Sequence, residues 1–126
     1  MKLHSFPKDE KLKNKKQISL LFDKGKWFSH GELRIIHLKP ENIALGEKQK
    51  IGVSVSKRYF KKATDRNQIK RWLREAYRLN KALFLETFGS PSLTMIFFVS
   101  GNKPTHFSEV QRTFIQLCQK FQNNLA

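Results

Sequence analysis

The segment Ser56–Lys81, SKRYFKKATDRNQIKRWLREAYRLNK, limits the fold more than any other stretch of the chain. Between Lys57 and Lys81 it carries ten Lys/Arg and two acids, Asp65 and Glu75, a local net charge of +8 out of +15 for 126 residues. At about 100° per residue, Ile69, Trp72, Leu73, Ala76, Leu79 and Leu83 fall on one arc of a helix. Arg66, Asn67, Lys70, Arg71, Arg74, Arg78 and Lys81 fall on the opposite arc, with Tyr77 bordering them. Such a helix buries one face and holds out the other as a row of cations. Like charges on one face repel, and give none of the support of Glu–Lys pairs. A row rich in Arg suits bidentate phosphate contacts. The expected partner is therefore a polyanion, nucleic acid before an anionic membrane. Thr64 or Asp65 is expected to cap the helix, with Asp65-x-x-Gln68 as a capping box.

The rest of the chain reads as a scaffold for this helix. Asn14 caps a helix over Lys15–Lys24 that stops at Gly25, with Ile18, Leu21 and Phe22 as its apolar stripe. Trp27–Gly31 reads as a turn-like connection and Leu33–Leu38 as a strand. Lys39–Lys50 reads as a loop in which Ile43–Leu45 extend a hairpin edge. Ile51–Ser56 alternates: Ile51, Val53 and Val55 point one way, Gly52, Ser54 and Ser56 the other. That second face is small and polar, and leaves space for a ligand. Gly89-Ser90-Pro91 ends the helical region, and the apolar run Leu93–Val99 predicts a strand covered on both faces. Ser108-x-x-Gln111 is expected to cap a last helix whose stripe is Val110, Phe114, Leu117, Cys118, Phe121 and Leu125. The order is α–β–β–α–β–α with room for one more edge strand. An α+β protein with helices on a small sheet is expected, a single polyanion-binding domain over residues 1–126 whose first 13 residues are expected to form a flexible basic arm.

Little in the chain points to chemistry carried by the protein. The ten acids are scattered, and His4, His30, His37 and His106 match no ligand spacing, so no metal site is expected. Cys118 sits on an apolar stripe and reads as an inert buried thiol; a single cysteine fits a reducing, cytoplasmic setting. No apolar run approaches the ~18 residues of a spanning helix. No signal peptide is read, and neither a membrane nor a protein partner is expected. A DNA recognition helix comes with a helix-turn-helix or a dimer partner. A polar sheet face beside aromatics suits single-stranded RNA instead. Phe22, Phe28 and Tyr59 are the stacking candidates, with core packing the alternative for each. A structural RNA-binding protein of ribosomal type fits the same composition.

The run Arg66-Asn67-Gln68-Ile69-Lys70-Arg71-Trp72-Leu73-Arg74-Glu75-Ala76-Tyr77-Arg78 resembles the signature of the bacterial ribonuclease P protein family. There an Arg-Asn-Arg motif opens a helix that continues Ile-Lys-Arg-x-x-Arg-Glu. Ile51–Arg58 resembles that family's Gly-hydrophobic-Ser-Val-Ser-Lys-Lys/Arg strand, and Leu12…Ile18…Leu21-Phe22…Gly25 its first helix. The resemblance implies a two-layer α/β sandwich with three helices on a mostly antiparallel sheet. A left-handed βαβ crossover surrounds the basic helix, as in domain 2 of ribosomal protein S5. It implies the protein subunit of a ribonucleoprotein that removes the 5′ leader from precursor tRNA, with catalysis by the RNA and by Mg²⁺ that the RNA holds. The catalytic RNA would then lie on Arg66, Asn67, Lys70, Arg71, Arg74 and Arg78, with Lys57, Arg58, Lys61 and Lys62 beside them. The leader would lie in a cleft between the first helix and the sheet, on Phe22, Ile18, Phe28, Ser54 and Ser56. Two positions depart from the family. Gln68 replaces the third Arg of the motif and is expected to serve the helix cap, and Ile18 stands where Phe is frequent.

Overall fold

The computed structural model describes residues 10–39, 49–89 and 91–122. Asn14 is extended, and its Oδ1 accepts from the amides of Lys16 and Gln17 at 2.9 and 3.2 Å, which starts α1 (Lys15–Lys24). Crowding, not a left-handed turn, selects the glycine that ends it. Gly25 has φ −74°, but a Cβ there would lie 2.5 Å from the Leu21 carbonyl oxygen and 2.8 Å from Ile36 Cγ1. The chain then enters a strand at once, β1 (Lys26–His30), where a turn was expected. Only Phe28 of its five residues is buried, so the strand lacks an alternating apolar signal. Gly31, with φ +56°, opens the two-residue turn into β2 (Leu33–Leu38).

β3 (Lys50–Val55) and β4 (Leu93–Phe98) complete a mixed sheet in the order β1-β2-β4-β3. The β1–β2 and β2–β4 pairs are antiparallel, and β3–β4 is parallel. The additional edge strand is thus β1; Ile43–Leu45 lie outside the described residues. The crossover between the parallel strands runs through α2 (Ala63–Leu79) and α3 (Lys81–Phe88), where a single helix through Leu83 was expected. Asn80 divides them. Its Nδ2 donates to the Ala76 carbonyl at 2.9 Å and to Gln111 Oε1 at 3.2 Å, so its side chain competes with the helical ladder. The described residues therefore contain four helices, the last being α4 (Phe107–Gln122).

Both sequence-based capping boxes give way to other partners. α2 starts at Ala63, two residues before Asp65, and Lys62 provides no side-chain cap. Asp65 instead accepts from Lys103 at 2.8 Å, a contact across 38 residues that holds its carboxyl below the usual range. At the start of α4, Glu109 reaches back to the amides of His106 and Thr105 at 2.8 and 2.7 Å. Ser108 and Gln111 do not form the box, and Gln111 is engaged by Asn80.

Strand alternation divides the sheet into two faces. Leu33, Ile35, Ile51, Val55, Ile96 and Phe98 meet α2, α3 and α4, where Leu73, Phe84 and Phe114 are fully buried. Each such side chain contributes roughly 1.5–3 kcal/mol by leaving water. Ile36, Leu38 and Leu93 meet Leu21 of α1 and Leu12 in a smaller second cluster. Tyr77, expected at the border of the cationic arc, is fully buried against Phe84, at 5.4 Å between ring centroids. Burial pushes its phenol well above the usual range, and the nearby Glu10 carboxylate adds to this. Lys81 also leaves the expected arc, because the chain turns at Asn80; it is buried in an ion pair with Glu10. Lys11 bridges to Ile51 on the outer edge of β3, with the Leu12 amide donating to the Ile51 carbonyl at 2.9 Å.

Candidate nucleic-acid interface

The outer face of α2 holds its cations largely unneutralised. Glu75, the second acid in the segment, is held by Arg78: Nε donates to Oε2 at 3.0 Å, and Nη2 meets Oε1. That pairing lowers the Glu75 pKa and raises that of Arg78. With Asp65 held by Lys103, both acids of the segment are occupied. Among the described residues, Lys57, Arg58, Lys61, Lys62, Lys70, Arg71 and Arg74 form no ion pair. Arg66 is placed differently from its neighbours on the wheel. Its Nη1 donates to the carbonyls of Phe60 and Lys61, each at 2.8 Å, and so ties the Lys57–Lys62 turn to the first turn of α2. Asn67, Gln68, Arg71 and Arg74 line an open groove along the helix. Gln68 therefore lines this groove and does not cap the helix.

This groove continues toward the other face of the sheet. Lys11 shares one hollow with Arg71, Arg74 and Arg78, and a second with Arg74, Gly52 and Met95. Gly52 lets Met95 and Leu12 close in there: a Cβ would lie 2.9 Å from Met95 Cε and 3.5 Å from Leu12 Cβ.

On the α1 side, the sheet is only partly covered. In register, Ser29, Arg34, Phe97 and Ser54 form one row across all four strands. At ~4.8 Å between strands this row is about 14 Å wide. The next row, Trp27, Ile36, Met95 and Gly52, runs toward α1. Phe22 of α1 and Trp27 of β1 are the large apolar side chains that remain exposed among the described residues, at 47% and 43%. They close on Phe97: ring centroids are 6.1 Å apart for Phe22–Trp27 and Phe22–Phe97, and 5.6 Å for Trp27–Phe97. The Arg34 guanidinium carbon lies 4.5 Å from the centre of the Trp27 ring.

Of the five residues expected in the cleft, Phe22, Ile18 and Ser54 lie on this face, Ile18 half-buried against the second cluster. Phe28 does not. It is Trp27 that alternation turns toward α1, while Phe28 is buried in the main core against Phe88 and Phe121 at 5.2 and 4.8 Å. Ser56 is exposed just past the end of β3, where its hydroxyl accepts from the Arg58 amide at 3.0 Å. Trp27, Arg34 and Phe97 were absent from the sequence-based set. Arg34 within LRIIHL was the available signal: alternation sets it on the Ile36 face, where a charge needs an opening.

Among the described residues no three His, Cys, Asp or Glu side chains come together as a metal site. Cys118 is buried in the main core, and burial pushes its thiol up to about 12, which leaves it a poor nucleophile. No helix is long and apolar enough to cross a membrane among the described residues.

A cationic helix and an open aromatic sheet face, joined around one strand edge, define a nucleic-acid-binding α+β protein. The family model for Ribonuclease P matches residues 6–122, nearly the whole chain. The chain is 32% identical over 123 residues to the ribonuclease P protein component of Dictyoglomus thermophilum, covering 95% of this chain and 94% of that protein. It is 33% identical over 112 residues to the component of Porphyromonas gingivalis, covering 83% and 77%. The RNase P protein of Staphylococcus aureus has the same fold, with TM-score 0.70, 19% identity, and 88% and 94% of the two chains covered. That of Thermotoga maritima gives 0.63, 24%, 88% and 96%. The chain belongs to the ribonuclease P protein family, and with it to the RNA-binding proteins of tRNA processing.

Proposed function

We propose that this chain is the protein subunit of ribonuclease P and works by holding two RNAs at once. The catalytic RNA lies against the outer face of α2, on Asn67, Lys70, Arg71 and Arg74. Arg66 keeps the Lys57–Lys62 turn beside them. The single-stranded 5′ leader of precursor tRNA lies on the open sheet face, stacked on Phe22 with Ser54 on the floor. The observation that carries this reading is the continuity of the two surfaces, with Lys11 and Arg74 lining the hollow at the edge of β3. A strand on the sheet and a phosphate backbone on α2 repel each other, and these cations lie between them. The RNA subunit supplies the hydrolytic chemistry with Mg²⁺ that it binds. The protein contributes positioning and phosphate screening, which lowers the Mg²⁺ concentration needed.

Reconstitution tests this. Adding the protein to a bacterial ribonuclease P RNA at low Mg²⁺ is expected to stimulate removal of the leader. Absence of stimulation, with RNA binding intact, would instead favour a structural RNA-binding protein without a catalytic assembly.

A further inference from the structure

We propose that Trp27 and Arg34 form a further nucleotide-binding position in the cleft, on its β1 side next to Phe22; this rests on the leader reading above. Trp27 is an indole left 43% exposed on a five-residue edge strand, so burial alone does not account for its place. Its partners explain its place better. Phe22 and Phe97 lie 6.1 and 5.6 Å away, so the indole extends their ring surface toward β1. Arg34 lies 4.5 Å over it. The cross-strand neighbours of Arg34 are Ser29 and Phe97, and it forms no ion pair among the described residues. A guanidinium held over an aromatic ring with its charge unneutralised provides a stacking plane and a phosphate donor in one group.

The cover of α1 limits where a strand can run. The helix packs on the rows of Ile36, Leu38, Leu93 and Met95. A strand seated on Phe22 therefore continues along the less covered row from Ser54 past the half-buried Phe97 to the exposed Arg34. The β3 end of that row leads to the cations after Ser56, and the β1 end leads to Trp27 and Arg34. The position takes one unpaired nucleotide, with its base against the indole–guanidinium pair and its phosphate on Arg34. Stacking tolerates any base, so the site selects for an unpaired strand and not for a sequence.

The test uses the protein assembled with its catalytic RNA. Affinities for precursor tRNA and mature tRNA are measured for the parent, Trp27→Ala, Arg34→Gln and Phe22→Ala. Trp27→Ala is expected to weaken precursor binding on the order of tenfold and to leave mature tRNA unchanged. Arg34→Gln is expected to give a smaller deficit that shrinks as salt rises. Both deficits disappear when the leader is cut to one nucleotide. In a Trp72→Phe background, precursor but not mature tRNA quenches the remaining indole, Trp27; this readout does not depend on removing Trp27. If Phe22→Ala loses the precursor preference while Trp27→Ala and Arg34→Gln keep it, and the indole is not quenched, the extra position is refuted and the cleft reading stands. If all three variants keep the preference, the leader reading itself fails.

Discussion

The two faces of the sheet are built from the same four strands and end in opposite states. Toward α2, α3 and α4, alternate residues are sealed: Ile35, Ile96, Leu73, Phe84 and Phe114 have no exposure. Toward α1 a single ten-residue helix covers the lower rows and leaves Phe22, Trp27, Arg34 and Ser54 at an opening. Aromatic rings occur on both sides. Phe84 meets Tyr77, Phe88 and Phe114 at 5.4, 5.0 and 6.2 Å, while among the described residues the rings that Phe22 meets are the rim pair Trp27 and Phe97. One face uses its rings to hold the molecule together; the other holds rings in water, where they are free to stack on a ligand.

The contrast predicts a division between stability and binding. Phe84→Ala is expected to cost ~3–5 kcal/mol in urea unfolding, because the cavity is closed on all sides. Phe22→Ala is expected to change stability by under about 1 kcal/mol. A large stability loss at Phe22 would make the α1 face a second core. In exchange, Phe22→Ala should reduce the preference for precursor over mature tRNA by roughly tenfold in a binding titration; equal losses for both RNAs would put Phe22 in the packing or on the tRNA body. Smaller again, Lys70→Ala and Arg74→Ala should each lower the slope of log affinity against log salt by about one, without altering the urea midpoint. An unchanged slope would remove α2 from the RNA surface.

The smallest effect concerns acid. Hydrogen bonds from the amide of His106, then from the hydroxyl and amide of Thr105, hold the Glu109 carboxyl below its usual range. A lowered folded pKa gives stability that is present above the unfolded value and is lost as pH falls through the folded one. Melting temperatures taken from neutral pH downward should therefore drop in that acid window, and Glu109→Gln should flatten part of the drop. An identical acid limb in the variant would show that Glu109 does not contribute.

What the sequence reveals follows the range of the interactions. The cap at Asn14, the span of α1 and the cationic arc from Asn67 to Arg74 depend on neighbours within four residues, and all are legible. Asp65 looked like a cap because Lys103, 38 residues away, is invisible to local spacing. Lys81 looked exposed because the wheel continues through Asn80, where the chain turns. β1 is the clearest case. Its pairing with β2 decides that Trp27 and not Phe28 faces the cleft, and five residues with one buried side chain do not announce a strand. The Trp27–Arg34–Phe97 group thus depends on register across three strands, which no periodicity within any one of them encodes.

The buried pair of Glu10 and Lys81 also has a consequence for biosynthesis. The two residues are 71 positions apart, so Glu10 leaves the ribosome well before its partner exists. At about 5–20 residues per second that wait is roughly 4–14 s. Leu12 can pair with Ile51 as soon as β3 is made, but the ion pair of Glu10 closes only after α2 has been completed. Shortening the chain past Glu10 would leave the Lys81 ammonium buried without its acid, a strongly destabilising state.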